Sequence, residues 1–129
     1  MLRILVADDH PLFRRGLRTM LENEPDFEVV GEATTGEEAI AQAAALQPDV
    51  VLMDLQMPRG NGVAATREIV HTSPHIRVLV VTLFEDDDSV FTALRARAHG
   101  CVLQDPGEKK IVRTTRAVGS GRAIFRPAV

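Results

Sequence analysis

Three acidic residues stand at the ends of short apolar runs. Asp8 and Asp9 follow Leu2 to Ala7, and Asp54 follows Val50-Val51-Leu52-Met53. Two more polar residues end similar runs: Thr82 after Val78-Leu79-Val80-Val81, and Gln104 after Cys101-Val102-Leu103. Brought together, three carboxylates would raise one another's pKa unless a cation compensates. An all-oxygen donor set suits a hard cation. Mg²⁺ characteristically takes one or two carboxylates, keeps some water and binds phosphate oxygens as well. With the ion in place, one carboxylate can attack a phosphoryl donor. A hydroxyl such as that of Thr82 can then donate to the transferred oxygens.

That chemistry requires the ends of the runs to meet, so the elements between them matter. Residues 2–7 are too few for a buried helix and read as a strand, as do 27–33, 49–53, 76–83 and 101–103. Helical periodicity covers 11–21, where Leu12, Phe13, Gly16, Leu17, Met20 and Leu21 recur at helical spacing. Helices are also expected over 35–46, 62–71, 86–99 and 109–118. Thr34 or Thr35 suits the cap of the second helix, with Glu37 and Glu38 near its positive end. Gly119 suits the stop of the last. Strands apolar on both faces belong in a parallel sheet covered by helices on both sides. Right-handed crossovers then make a doubly wound α/β fold of five strands and five helices. In such sheets ligands bind at the carboxyl ends of the strands, where Asp8, Asp9, Asp54, Thr82 and Gln104 stand.

The remaining composition limits what else the chain could do. Its 129 residues, 45% of them hydrophobic and 26% charged, suit one globular domain. A net charge of −3 offers no basic footprint for nucleic acid. The single cysteine, Cys101, excludes an internal disulfide and suits a reducing, cytoplasmic setting. No run approaches the roughly 20 apolar residues of a membrane span. His10, His71, His75 and His99 are scattered, without cysteines beside them, and are expected at the surface rather than in a zinc site. Only His10 is placed to line an acidic pocket. Met53 is expected in the core and Met57 on the pocket rim. Gly60 and Gly62 are expected to serve the loop backbone. The domain is expected to span 1–121, with 122–129 beginning a linker or tail.

These motifs carry a resemblance. Asp8-Asp9 after the first strand, the segment Asp54-Leu-Gln-Met-Pro-Arg-Gly-Asn-Gly62, and Thr82 after Val-Leu-Val-Val are similar to receiver domains of two-component response regulators. The opening Ala-Asp-Asp-His-Pro-Leu-Phe-Arg-Arg-Gly-Leu and the Val-Val-Gly-Glu-Ala strand most resemble the subfamily with a C-terminal LuxR-type helix-turn-helix domain. The resemblance implies a flavodoxin-like strand order of 2-1-3-4-5, an order also typical of this fold class. It implies Asp54 as phospho-acceptor, with Mg²⁺ held by Asp9, Asp54 and the Gln56 backbone carbonyl, Asp8 assisting through water. Thr82 would be the switch hydroxyl. It further implies a histidine kinase as phosphoryl donor, a DNA-binding output domain in the full-length protein, and a homodimer.

Two positions depart from that pattern. Gln104 stands where the family has a lysine. An amide can donate a hydrogen bond but brings no charge, and charge-assisted bonds are roughly twice as strong. Lys109 and Lys110 lie further on, at the start of the last helix. Cys101 replaces the usual aromatic, so no bulky ring can report movement of Thr82. The main expectation is a phospho-accepting signalling domain with an altered relay, not a metabolic enzyme. The alternative is a degenerate, phosphorylation-independent dimerisation module. An aspartyl phosphatase fits poorly because Asp8 and Asp9 are adjacent. A flavin site fits poorly because those carboxylates would repel a phosphate.

Overall fold

Five apolar segments form one sheet: β1 (Leu2–Ala7), β2 (Phe27–Ala33), β3 (Val50–Asp54), β4 (Arg77–Thr82) and β5 (Gly100–Leu103). All pairings are parallel and the order is β2-β1-β3-β4-β5, as expected. The computed structural model describes residues 1–55, 57, 62–82, 95–103 and 108–120. Four helices lie within these residues: α1 (Pro11–Glu22), α2 (Gly36–Leu46), α3 (Gly62–Thr72) and α4 (Glu108–Gly119). The helix expected over 86–99 falls largely outside them, as does 121–129 with the expected boundary of the domain.

Alternation along the strands sorts their side chains into two cores. Ile4, Val6, Leu52 and Leu79 meet Leu17 and Leu21 of α1 and Ile111 and Val118 of α4. Leu5, Val51, Met53 and Val78 meet Ala39 and Ala43 of α2 and Ala65 and Ile69 of α3. Each fully buried aliphatic side chain contributes roughly 1.5–3 kcal/mol. α1 is fixed by the face carrying Phe13, Leu17, Met20 and Leu21, with Leu17 and Leu21 buried. Leu12, read with that face from the sequence, is instead 84% exposed. It lies beside Gly16 on the exposed side of the helix.

α2 begins as its sequence suggests. The Thr35 hydroxyl accepts from the Glu38 N–H at 3.1 Å, and the Glu38 carboxylate accepts from the Thr34 N–H at 2.9 Å. This satisfies donors that a helix start leaves orphaned. At its other end Gln47 adopts a left-handed conformation, φ 49°.

One irregularity matters for the site. β1 and β2 run in register from Leu2↔Phe27 to Ile4↔Val29, and then Leu5 pairs with Gly31. Val30 is therefore an extra residue, a β-bulge. Because side chains alternate, one extra residue exchanges the faces of everything after it. Phe27 and Val29 face the α1 side, whereas Ala33 joins the α2 side. Glu32 is thereby turned toward α1.

Candidate functional site

The carboxyl ends of β1 and β3 lie side by side, since Ala7 pairs with Met53. The next residues, Asp8 just past β1 and Asp54 as the last residue of β3, therefore stand at the same end of the sheet, with Asp9 beyond. One donor atom from each of Asp8, Asp9, His10 and Asp54 lies within 4.8 Å of the other three. Asp8 is 2% exposed and Asp54 7% exposed, so two of the three acids are taken out of water. Asp9 Oδ1 is also buried, without a hydrogen bond among the described residues. It lies 3.1 Å from His10 Nδ1.

His10 belongs to this pocket. Its N–H donates to Asp8 Oδ1 at 2.8 Å, and Nδ1 lies 3.2 Å from the same oxygen and 3.9 Å from Asp54 Oδ2. The ring remains 59% exposed, so it is at once a surface histidine and a pocket residue. Burial raises the Asp8 carboxyl above its usual pKa, and hydrogen bonds from His10 offset part of that rise. The Asp8 hydrogen bond, and then the Asp9 charge, hold the His10 imidazole above its usual value. His10, rather than either aspartate, is the N-cap of α1, and its side chain makes no capping bond. Helix capping therefore does not explain the acidic pair.

A second layer holds Asp8 from behind. Its N–H donates to the Ala33 carbonyl at 2.9 Å, and its own carbonyl accepts from Arg14 Nη1 at 2.9 Å. Arg14 Nε donates to Glu32 Oε1 at 2.9 Å, and Arg18 binds the other Glu32 oxygen. Burial pushes the Glu32 carboxyl up, but the Arg18 and Arg14 hydrogen bonds outweigh it and hold the pKa below the ordinary value. This clamp depends on the bulge at Val30, which turns Glu32 to the α1 side. Sequence reading missed Arg14 and Glu32 as supports; the only available signal was the Arg14-Arg15 pair after the acids.

Gly62 holds Asp54 from the other side. Its N–H donates to the Leu55 carbonyl at 3.1 Å. A Cβ at Gly62 would overlap the Asp54 carbonyl oxygen and lie 2.7 Å from Leu55 Cα. Its role is thus close approach of α3 to the backbone of the acidic residue.

The remaining expected residues divide. Thr82 ends β4, one residue beyond the Asp54↔Val81 register pair, and its side chain lies outside the described residues. Gln56 and Gln104 lie outside them too. Cys101 is a half-buried β5 residue paired in register with Val80. Met53 is fully buried, as expected, but Met57 is 5% exposed within the α2-side core rather than on a pocket rim. His99 is also not a plain surface residue: its Nδ1 accepts from the Val78 N–H at 3.1 Å, and burial, then Arg77, lowers its pKa. His71 and His75 are four apart, but α3 ends at Thr72, so they share no helical face.

A parallel sheet of this order with an acidic cluster at the ends of its first and third strands defines a class of signalling module. The chain belongs to the family of response regulator receiver domains, whose model matches residues 4–116. It is 40% identical over 128 residues to the response regulator protein VraR of Staphylococcus aureus, covering 99% of this chain and 61% of that protein. It is 37% identical to the transcriptional regulatory protein DegU of Brevibacillus brevis, covering 99% of this chain and 54% of that one. The chain thus spans about half to three fifths of the length of these relatives. Among solved structures, a LuxR-family two-component response regulator from Aurantimonas superposes with a TM-score of 0.92 at 33% identity, covering 98% of this chain and 91% of that one. The receiver domain of NarL from Mycobacterium tuberculosis gives 0.88 at 34%, covering 94% and 98%. Response regulators are signalling proteins rather than metabolic enzymes, and their receivers generally bind Mg²⁺ in an acidic pocket. Among the described residues, no helix is long and apolar enough to cross a membrane.

Proposed function

We propose that this domain accepts a phosphoryl group on Asp54 from a histidine kinase and passes the change to a DNA-binding domain of a longer transcription regulator. The observation that carries the proposal is the meeting of buried Asp54 with Asp8 and Asp9 at the strand ends. The donor set fits Mg²⁺: several carboxylate oxygens converge, and Asp9 Oδ1 is buried without a hydrogen bond among the described residues. Asp9, Asp54 and the Gln56 carbonyl would hold the ion, with Asp8 acting through water. When bound, it neutralises charge on the transferring phosphoryl group.

Asp54 supplies the nucleophile. A carboxylate oxygen forms a bond to phosphorus while the bond from phosphorus to the kinase imidazole breaks, leaving its electron pair on that nitrogen. Asp8 and Asp9 orient this centre, and the Arg14–Glu32 clamp fixes the Asp8 backbone. The Thr82 hydroxyl donates to a phosphoryl oxygen. Gln104 donates there without charge, so the phosphorylated state is held less strongly than with a lysine. The receiver unit is assigned to 1–121, with 122–129 beginning the connection to the output domain. Signalling is assigned to homodimerisation in the cytoplasm, with no nucleic acid bound by this domain itself.

The test is incubation with Mg²⁺ and acetyl phosphate, followed by intact mass, with Asp54→Asn as control. A single Mg²⁺-dependent phosphoryl addition, lost in the control, is expected. A folded domain that binds Mg²⁺ but takes no phosphoryl group would refute the proposal. It would favour a phosphorylation-independent dimerisation module, the reading to which Gln104 and Cys101 point.

A further inference from the structure

The pocket contains a donor that an Mg²⁺ site does not require. His10 precedes Pro11 and has an extended backbone, φ −91° and ψ 107°. A residue before proline is biased toward that conformation. In this geometry the ring folds back over the acids instead of following α1. Nδ1 then stands 3.2 Å from Asp8 Oδ1, 3.1 Å from Asp9 Oδ1 and 3.9 Å from Asp54 Oδ2. A six-coordinate ion with donors near 2.1 Å keeps adjacent donors about 3.0 Å apart and opposite ones about 4.2 Å apart. The spacing that lets a protonated Nδ1 donate to the acids also suits a ligand that shares an ion with them once that proton is displaced. Asp9 Oδ1, buried without a hydrogen bond among the described residues, is one of the oxygens it would share the ion with.

We propose that His10 is a direct metal ligand, making this pocket a mixed oxygen–nitrogen site that favours a borderline transition-metal ion such as Co²⁺ over Mg²⁺. Imidazole adds little affinity for Mg²⁺, which prefers oxygen, and much more for later divalent ions. The inference rests on the acidic pocket being a cation site, but it does not require phosphoryl transfer.

Binding of Co²⁺ and of Mg²⁺ is measured by calorimetry at mildly alkaline pH on the wild-type domain, His10→Gln and Asp9→Asn. Bound Mn²⁺ is examined by pulsed electron paramagnetic resonance for nitrogen-14 modulation. In His10→Gln, Co²⁺ affinity is expected to fall at least about tenfold while Mg²⁺ affinity changes less than about threefold. The nitrogen modulation is expected in the wild type and not in the variant. Asp9→Asn is expected to weaken both ions, placing them in this pocket. Equal loss of both ions in His10→Gln, an unchanged Co²⁺ affinity, or absence of nitrogen modulation would overturn the assignment of His10 while leaving the Mg²⁺ pocket standing. Failure of every divalent ion to bind would overturn both.

Discussion

Replacing glycine by alanine inside a helix ordinarily stabilises it by roughly 0.5–1 kcal/mol, because alanine loses less backbone freedom on folding. Two glycines of this chain should respond with opposite signs. Gly16 lies on the exposed side of α1, and a Cβ there would meet nothing within 4 Å. Gly16→Ala is expected to raise stability by about 0.5–1 kcal/mol. Gly62 opens α3, is buried, and a Cβ there would overlap the Asp54 carbonyl oxygen. That oxygen belongs to a buried central strand and cannot swing aside as a flexible side-chain tip could. Overpacking of a close-packed region costs typically about 1–3 kcal/mol, more than the propensity gain. A net loss of roughly 1–2 kcal/mol, five- to thirtyfold in the folding equilibrium, is therefore expected. Urea unfolding followed by far-ultraviolet circular dichroism reads both variants, with an unchanged denaturant slope as the check on two-state behaviour. Displacement of Asp54 should also weaken Mg²⁺ binding in Gly62→Ala and leave it unaltered in Gly16→Ala. A Gly62→Ala protein as stable as the wild type would refute the argument from close approach.

Other consequences can be checked separately. Arg14→Ala removes the hydrogen bond to the Asp8 carbonyl; it should weaken Mg²⁺ binding about tenfold even though it removes a nearby positive charge. Calorimetric titration measures this, and unchanged or tighter binding would remove Arg14 from the support of the site. His99 is held neutral, with its pKa lowered from 6.5 by burial, then by Arg77. Its contribution to stability is therefore present above 6.5 and lost as pH falls through the folded value. The stability difference between wild type and His99→Gln should narrow as pH falls below that point, and a difference that widens would contradict the assignment. Gln104→Lys restores a charged donor and should accelerate phosphoryl uptake from acetyl phosphate, as followed by intact mass.

The sheet and the acids were legible because each rests on a local pattern. Runs such as Val50-Val51-Leu52-Met53 can be satisfied only by burial on both faces, and the acids follow those runs directly. Five strands and the four described helices accordingly appear within one or two residues of expectation. What the sequence hid depends on parity and on distance along the chain. Nothing in Phe-Glu-Val-Val-Gly-Glu-Ala shows that Val30 is extra, yet that residue decides which face Glu32 occupies and hence which arginines it can reach. Leu12 looks like part of an apolar face until the direction of α1 is known. His10 could be expected at the surface or in the pocket, and only the backbone ahead of Pro11 shows that it occupies both. Met57 follows the acid-bearing loop by position but is drawn into the core by its length and hydrophobicity.

The placement of Asp54 also bears on how this molecule can fail. β3 is buried along its whole length and paired on both sides, so the acid belongs to the segment whose amide hydrogens should exchange most slowly. Breathing at the edges, around β2 or β5, would leave its backbone in place. In the unaltered sequence, spontaneous loss of the acid's position would therefore require opening of the whole domain. Local fluctuations could loosen outlying surfaces gradually, but the proposed acceptor carboxylate should lose its place spontaneously only together with the fold.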